Sequence, residues 1–408
     1  MKVPFGTLTI TESAKRRINE ALDSGRLTQG RYVQELEERF ALLAGTRHAV
    51  AVSSGADALT LALAALHDRG AKPGDHVIVP ALSFAATGNA VLAARLTPVF
   101  VDVSRDTLNI DPEKIEEAVT ARTRAIVAVH LMGKPAEMDR INEIARKRGL
   151  AVIEDAAEAH GAFYRGRPAG SLGAMAAFSL YAAHAISCVE GGMITTDDPQ
   201  VAEILRSLRA HGRACACETC ALSSEGTPCP KRFDRKTGRD IRFHFPRIGY
   251  SSKMNELEAA VGLGCLDVYA DISALRRASL LRLMEGLSRF APLLRTIREE
   301  AWEIIGPHAF PIMISENAPF TREDFTRHLE ENGIETRTLF DSMPTRCPGF
   351  AFLGHKYGDF PEAEYLGRMG LHIGVHQDLD LRHTDHVLSV IAGFLEAGPG
   401  RPKLQQMP

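Results

Sequence analysis

Short apolar runs alternate with longer helical patterns over the first 200 residues of the chain. Runs of this length, apolar at successive positions, are typical of strands covered by helices on both faces of a sheet. The stretches 56–70 and 137–149 between them carry apolar residues at helical spacing. The alternation predicts an α/β fold with a mainly parallel sheet of about seven strands. The predicted strands are 48–53, 76–80, 98–103, 124–130, 150–155, 176–181 and 192–197.

The rest of the chain is organised differently. A long helical pattern begins at Asn255 and leads into a less regular C-terminal third with its own strands and a final helix. We therefore predict a large domain over residues 1–265 and a smaller α/β domain over residues 266–408. Residues 211–250 interrupt the pattern with turn residues, four cysteines and many lysines and arginines. A loop of this length inside a compact domain is unusual and tends to be functional.

Composition excludes several functional classes. The 408 residues are 45% hydrophobic and 24% charged, with a formal net charge of −3, as in average soluble globular proteins. That balance lacks the basic surface that binds nucleic acid or an anionic membrane. The first residues contain no apolar signal-peptide core, and no run approaches the ~20 apolar residues that span a bilayer. We therefore expect a cytoplasmic protein.

Residues suited to ligand binding follow two of the predicted strands. Ser53, Ser54 and Gly55 end one strand, and Ala56 opens a helix whose free backbone N–H groups could bind an anion, although such turns are often only structural. Asp155 ends a second, buried strand, at the edge where open α/β sheets bind ligands. A carboxylate there is suited to pair with a protonated pyridine nitrogen and make that ring an electron sink.

The order of these features resembles that of fold-type I pyridoxal-phosphate enzymes. More narrowly, the chain resembles the nucleotide-sugar aminotransferase and dehydratase family, and the resemblance covers nearly the whole chain. The segments that carry it include GRYVQELEERFA, PGDHVIVPALSFAAT, IEDAAEAHGA, GSLGAMAAFSLY and EGGMITTDD. The resemblance implies a homodimer of fold-type I architecture that acts on a nucleotide-linked keto sugar. It also implies that the cofactor is held by Ser53, Ser54, Gly55, Ala56 and Ser179 around its phosphate, by Phe84 stacked on its ring and by Asp155 at its ring nitrogen.

One departure from the family pattern concerns the residue that anchors the cofactor. The family's aminotransferases carry a Schiff-base lysine in F-S-x4-K before EGG, whereas this chain reads F-S-L-Y-A-A-H and has His184. Imidazole cannot form the imine, but it can act as an acid or base at neutral pH. The resemblance is then to the 3-dehydratase branch, which uses unattached pyridoxamine phosphate to remove the C3 hydroxyl of a 4-keto sugar.

That branch implies catalytic roles for His184, Tyr181 and Glu158. Two later segments, ETRTLFDSMPTRCPGF (335–350) and GLHIGVHQ (370–377), also resemble it. An aminotransferase-like protein or a non-catalytic paralogue remains the alternative. The asparagine that commonly follows GY in the family is replaced by Ser251, which puts a contact with the neighbouring subunit in doubt.

Four cysteines in the irregular segment form the pattern C-x-C-x2-C-x8-C-x-K-R-F: Cys215, Cys217, Cys220 and Cys229. The CAC and CPKRF parts resemble a sub-branch of 3-dehydrases that binds an iron–sulfur cluster, which implies a [2Fe–2S] or [4Fe–4S] cluster held by these thiolates. It also implies a ferredoxin- or flavodoxin-type electron donor or a reductase, for which the basic residues from Lys231 to Arg247 could form a docking patch.

Two observations keep a second interpretation of the cysteines open. That sub-branch takes one ligand from an EDCC motif, where this chain has Ala156 and Ala157. Four thiolates also suit a structural zinc ion, which would favour a non-reductive dehydratase.

Overall fold

The computed structural model describes residues 1–215, 217 and 227–397. In chain order the strands are β1 (His48–Val52), β2 (His76–Pro80), β3 (Leu82–Ser83), β4 (Thr97–Val101), β5 (Thr123–Val129), β6 (Ala151–Asp155), β7 (Phe163–Tyr164), β8 (Arg167–Pro168), β9 (Met175–Ser179), β10 (Gly192–Thr196), β11 (Leu294–Arg295), β12 (Glu303–Ile304), β13 (Ala309–Ile314), β14 (Thr336–Thr338), β15 (Asp341–Ser342) and β16 (Gly370–Gly374).

The described helices pack around the central sheet. They are α1 (Glu12–Ser24), α2 (Arg31–Leu43), α3 (Gly55–Ala64), α4 (Ala86–Ala93), α5 (Pro112–Ala118), α6 (Met138–Arg148), α7 (Pro199–Leu208), α8 (Glu256–Asp267), α9 (Tyr269–Leu287), α10 (Arg322–Glu331), α11 (Met343–Arg346), α12 (Pro361–Met369) and α13 (Leu381–Ala397). For example, α3 packs against β9 and α6 against β5. None of the described helices is long and apolar enough to cross a membrane.

Seven strands form the central sheet, in the order β1-β10-β9-β6-β5-β2-β4. Strand β10 runs antiparallel to β1 and β9, and the other neighbouring pairs are parallel. The prediction of an α/β fold with a mainly parallel seven-stranded sheet is therefore confirmed. Since β5, β6 and β9 are parallel neighbours, their carboxyl ends meet at one edge of the sheet.

Helix α3 begins at that edge and is suited to a buried position. Its sequence, GADALTLALA, is almost entirely small or aliphatic, and the residues from Ala58 to Ala64 are buried against β9, β10 and α4. The side chain of Ser54 caps its first turn by accepting the N–H of Asp57 at 3.0 Å. The helix start is thus fixed directly beside the ends of the strands.

A second sheet of four antiparallel strands, β11-β13-β16-β14, lies in the C-terminal third. Its residues Ile312 and Leu371 belong to the same buried cluster as Val79 of the central sheet. Strand β15 also pairs with β3, which places the C-terminal third beside the loop that carries Phe84. The division into domains at residue 265 stays a prediction, since the core is continuous across it.

The described part of the segment 211–250 is irregular. It contains a short 3-10 helix, Ile241–Phe243, and an isolated bridge between Phe233 and Asp240. Its two ends are held together where the N–H of Ala214 donates to the carbonyl of His244 at 2.8 Å. Cys220 lies outside the described residues.

Candidate active site

A cavity of about 540 Å³ opens at the carboxyl ends of β5, β6 and β9. Its volume is in the usual range for small-molecule sites. All but one of the predicted cofactor and catalytic residues line it: Ser54, Gly55, Ala56, Phe84, Asp155, Glu158, Ser179, Tyr181 and His184. The parallel topology brings them together because each lies just beyond the end of a strand or at the start of a helix.

One end of the cavity is suited to an anion. Gly55 and Ala56 form the start of α3, where backbone N–H groups have no partner within the helix. A Cβ added to Gly55 would lie 2.6 Å from the Cβ of Ser179, so only glycine allows this close approach. Ser53 does not line the cavity, and its hydroxyl donates instead to the carboxylate of Asp57.

Asp155 supplies a carboxylate to the lining of the cavity. Its Oδ2 accepts a hydrogen bond from the Thr87 hydroxyl at 2.8 Å, and its Oδ1 accepts the N–H of Ala157 at 3.3 Å. Burial raises the pKa of Asp155, and these two hydrogen bonds oppose that rise. A carboxylate held in this way is stabilised by a cation placed opposite to it, such as a protonated ring nitrogen.

The neighbouring acid, Glu154, has a structural role. It is fully buried and accepts backbone N–H groups of Gly170, Leu172 and Gly173 at 2.7–2.8 Å. Its Oε2 also lies 3.0 Å from Nε2 of His130. Because adjacent residues of a strand point to opposite faces, Glu154 secures the loop after β8 while Asp155 faces the cavity.

Two exposed aromatic side chains lie at the mouth of the cavity. Phe84 is 62% exposed and Tyr181 is 49% exposed, although large aromatic residues are usually more buried. The Phe84 ring also lies 5.8 Å from the ring of Phe340. An exposed aromatic face beside Asp155 is suited to stack on a flat ring.

His184 lies in a turn after β9, where its N–H donates to the carbonyl of Tyr181 at 3.0 Å. Its Nδ1 is buried and has no hydrogen-bond partner among the described residues. Burial, and then the nearby Arg276 guanidinium, lower the pKa of His184 to about 3. The imidazole is therefore uncharged at neutral pH and able to accept a proton.

Glu158 lies deeper, with its Oε2 accepting the N–H of Met132 at 2.7 Å. Its Oε1 is 3.4 Å from Nε2 of His308, whose ring stacks on the His184 ring at a centroid distance of 4.9 Å. Burial raises the pKa of Glu158 to about 8, against the effect of the Met132 hydrogen bond and with a further rise from Asp155.

Sequence reasoning missed several residues of this cavity: Glu190, His308, Arg337, Phe340 and His372. Arg337, Phe340 and His372 fall within the segments 335–350 and 370–377, which resemble the dehydratase branch, so those segments carried a usable signal. His308 lies beside β13, and no motif marked it. All but Glu190 come from the C-terminal third, which is brought to the cavity by the packing of the two sheets and by the pairing of β15 with β3.

These residues fit a pyridoxal-type cofactor. A helix start with flanking hydroxyls suits its phosphate, the carboxylate of Asp155 suits its ring nitrogen, and the exposed Phe84 suits its ring face.

The described part of the cysteine segment contains no comparable group of side chains. All six described cysteines are thiols rather than disulfides, and no group of three or more possible metal ligands occurs among the described residues. Arg242 has its pKa raised mainly by its hydrogen bond to Asp240 and further by the nearby side chains of Cys215 and Cys229. The described residues include three of the four cysteines of the segment, Cys215, Cys217 and Cys229, and Cys220 lies outside them.

Comparisons with known proteins identify the family of the chain. Residues 8–392 match the model of the DegT/DnrJ/EryC1/StrS aminotransferase family. The chain is 34% identical to a dTDP-4-dehydro-2,6-dideoxy-D-glucose 3-dehydratase from Saccharopolyspora spinosa, over 96% of this chain and 86% of that protein. It is 36% identical to a GDP-perosamine synthase from Caulobacter vibrioides, over 89% of this chain and 90% of that protein.

A solved structure of a similar enzyme supports the same family and fold. The E. coli GDP-4-keto-6-deoxy-D-mannose-3-dehydratase with bound hydrated PLP superposes with a TM-score of 0.84 at 30% identity, covering 96% of this chain and 99% of that one. The predicted resemblance to nucleotide-sugar aminotransferases and dehydratases, with its fold class, is confirmed. The relatives include both kinds of enzyme.

Proposed function

The chain belongs to the DegT/DnrJ/EryC1/StrS aminotransferase family, and we propose that it is a dehydratase of that family. In this proposal it uses pyridoxamine phosphate to remove the C3 hydroxyl of a 4-keto-6-deoxy nucleotide sugar. The proposal rests on one observation. His184 occupies the position of the family's lysine, and no lysine is among the described residues that line the cavity. Transamination in this family needs that amine to hold the cofactor and move its proton.

When bound, pyridoxamine phosphate supplies an amine that condenses with the C4 ketone and a ring that withdraws electrons. The start of α3 and the hydroxyls of Ser54 and Ser179 would hold its phosphate. Asp155 would keep the ring nitrogen protonated, and Phe84 would orient the ring. Tyr181, at the mouth, would help to close the cavity over the sugar.

His184 would act as the base at C4′, the methylene carbon that carries the cofactor's amine. Its imidazole is uncharged at neutral pH, so it can take the C4′ proton. A pKa of about 3 makes a weak base, but an anionic phosphate bound at the start of α3 adds negative charge and raises that pKa. Removal of the C3 hydroxyl from the adjacent sugar carbon completes the dehydration.

The mass of the product tests this proposal. The protein is incubated with pyridoxamine phosphate and a 4-keto-6-deoxy nucleotide sugar, with and without a chemical reductant. Loss of the C3 oxygen supports the proposal, and gain of an amino group would identify an aminotransferase. No turnover on any keto sugar would favour a non-catalytic protein.

We also propose that Cys215, Cys217, Cys220 and Cys229 bind an iron–sulfur cluster that delivers electrons from a ferredoxin- or flavodoxin-type donor or a reductase. The support is their spacing, the CPKRF resemblance and the position of Cys215 and Cys229 near one guanidinium. A partner of this kind and a homodimer are both implied by the resemblance.

Removing two of these thiols is expected to remove the metal. Protein purified anaerobically should be brown and contain iron and acid-labile sulfide, and the Cys217→Ser, Cys229→Ser variant should lose both because a cluster of this kind needs four ligands. The variant Cys347→Ser, which changes a cysteine outside the segment, is the control. Colourless wild-type protein with one zinc ion and no sulfide would contradict the cluster and favour a non-reductive dehydratase.

A further inference from the structure

We propose that the guanidinium of Arg337 binds the diphosphate group of the nucleotide-linked sugar. The inference rests on the proposed function, because it takes a nucleotide sugar as the substrate, and it names the part of the cavity that recognises the nucleotide end. Arg337 lines the cavity from β14, the edge strand of the second sheet.

The charges of the cavity lining favour this role. Arg337 is the only lysine or arginine among the described residues that line the cavity, whereas Asp155, Glu158 and Glu190 contribute acids. The cofactor adds a phosphate and a nucleotide sugar adds a diphosphate. The one cation of this lining is therefore the favoured partner for an anion that the start of α3 does not hold.

The charge of Arg337 is available to a ligand. Its side chain is exposed, and among the described residues it forms no ion pair. One of its N–H groups donates to the carbonyl of Thr336 at 2.9 Å, and its Cζ lies 4.9 Å from the centroid of the Phe5 ring. These contacts leave most of the N–H donors of the planar guanidinium for the oxygens of a phosphate.

The N-terminal segment holds the guanidinium in place. The N–H of Val3 donates to the carbonyl of Gly333 at 2.8 Å, and the N–H of Glu335 donates to the carbonyl of Val3 at 3.0 Å. The N–H of Phe5 donates to Oε2 of Glu335 at 3.0 Å. Glu335 is thus bound to the backbone of Phe5, while the ring of Phe5 supports Arg337. A cation held in this way has less freedom to lose when an anion binds.

A row of rings places Arg337 away from the proposed position of the cofactor ring. The centroids of Phe5 and His372 are 5.2 Å apart, those of His372 and Phe340 are 5.8 Å apart, and those of Phe340 and Phe84 are also 5.8 Å apart. All four rings line the cavity, with Arg337 over the first and the cofactor ring proposed to stack on the last.

This arrangement matches the shape of the substrate. A nucleotide sugar would react at its C4 ketone, which lies across the sugar ring from C1, the carbon that bears the diphosphate. When C4 meets the cofactor, the diphosphate therefore points away from the cofactor. Arg337 lies at that end of the row of rings.

The cofactor's phosphate has a separate place at the start of α3. That site is built from backbone N–H groups with Ser54 and Ser179, which belong to the central sheet and its helix. Among the described residues, the hydrogen-bond and ring contacts of Arg337 are with Thr336 and Phe5, and none is with the start of α3. Because both ligands present phosphate oxygens, the experiment has to separate the two.

Arg337→Gln removes the charge and keeps a polar side chain. Isothermal titration of the protein loaded with pyridoxamine phosphate measures the binding of CDP, GDP, UDP, dTDP and inorganic pyrophosphate. The variant should bind pyrophosphate and the tightest of the four nucleotides about 30-fold more weakly than the wild type, because it loses a charge-assisted contact. Arg337→Lys keeps the charge without the planar fork and should lose only about fivefold. The dissociation constant of pyridoxamine phosphate should change less than about threefold in both variants.

Arg289→Gln is the matched control. Arg289 is also exposed, its Cζ lies 4.7 Å from the centroid of the Phe290 ring, and its guanidinium donates to the carbonyl of Leu388 at 3.3 Å. It does not line the cavity. The variant should bind all of these ligands as the wild type does.

Several results would overturn the proposal. They are wild-type affinity of Arg337→Gln for the nucleotides, a loss confined to pyridoxamine phosphate, equal losses for both kinds of ligand, and no binding of any of the four nucleotides by the wild type. None of these measurements depends on the reaction product. A wild-type protein that adds an amino group to the sugar would instead overturn the dehydratase function and leave the diphosphate contact standing, because an aminotransferase for nucleotide sugars binds the same group.

Discussion

His184→Asn is expected to slow hydrogen exchange at C4′ of bound pyridoxamine phosphate by about 1,000-fold or more, because an amide cannot accept the proton. The cofactor should still bind within about threefold of the wild-type dissociation constant, since the variant leaves unchanged Ser54, Ser179 and Asp155, the residues proposed to hold its phosphate and ring. Exchange is measured in D₂O by the mass of the released cofactor, and binding by its absorbance.

His160→Asn is the matched control. The His160 ring lies 5.9 Å from the His184 ring and is buried, but it does not line the cavity. The His160→Asn variant should keep C4′ hydrogen exchange within about tenfold of the wild-type rate. Equal losses in both variants, or a His184→Asn protein that exchanges at the wild-type rate, would show that His184 is not the base.

Asp155→Asn is expected to reduce both exchange and dehydration by about 1,000-fold. Asparagine keeps an oxygen for the Thr87 hydroxyl but has no negative charge, so it no longer stabilises a protonated ring nitrogen. The two rates should fall together, because both depend on the ring as an electron sink. The pH dependence of the cofactor's absorbance should show the ring nitrogen losing its proton at a lower pH than in the wild type.

Glu154→Gln provides the contrast, since it changes the adjacent acid on the opposite face of β6. Its carboxylate accepts three backbone N–H groups and faces His130, so the variant should lower the melting temperature and leave the cofactor's absorbance unchanged. If Asp155→Asn retains wild-type exchange and Glu154→Gln loses it, the assignment of these two carboxylates is reversed.

The central sheet could be predicted from the sequence because each strand is a short apolar run with a turn at its end. The run 150–155 is observed as Ala151–Asp155, and 192–197 as Gly192–Thr196. Residues just beyond such strands gather at one edge in any parallel sheet, so their proximity followed from topology alone. Gly55 and Asp155 could be predicted in this way, whereas the role of Ser179 followed from the family resemblance.

The cavity residues that the sequence did not predict depend on contacts between distant parts of the chain, which no local sequence pattern shows. His308 reaches the cavity because Gly306 packs on Gly133, some 170 residues earlier in the chain. Ser53 was predicted to hold the cofactor but does not line the cavity, because its hydroxyl donates to the carboxylate of Asp57. The sequence motif at the start of the helix does not reveal that hydrogen bond. The sequence likewise shows how many cysteines the segment contains but not how their thiols are arranged in space.

We propose that this chain uses a pyridoxamine cofactor that is not attached to it, at a site where His184 replaces lysine. Borohydride reduction of the protein loaded with pyridoxal phosphate, followed by the mass of the denatured chain, tests it most directly. We expect the unmodified mass, because imidazole forms no reducible imine. A mass increased by one reduced cofactor on a single lysine, at stoichiometric yield, would show instead that the cofactor is attached to the chain.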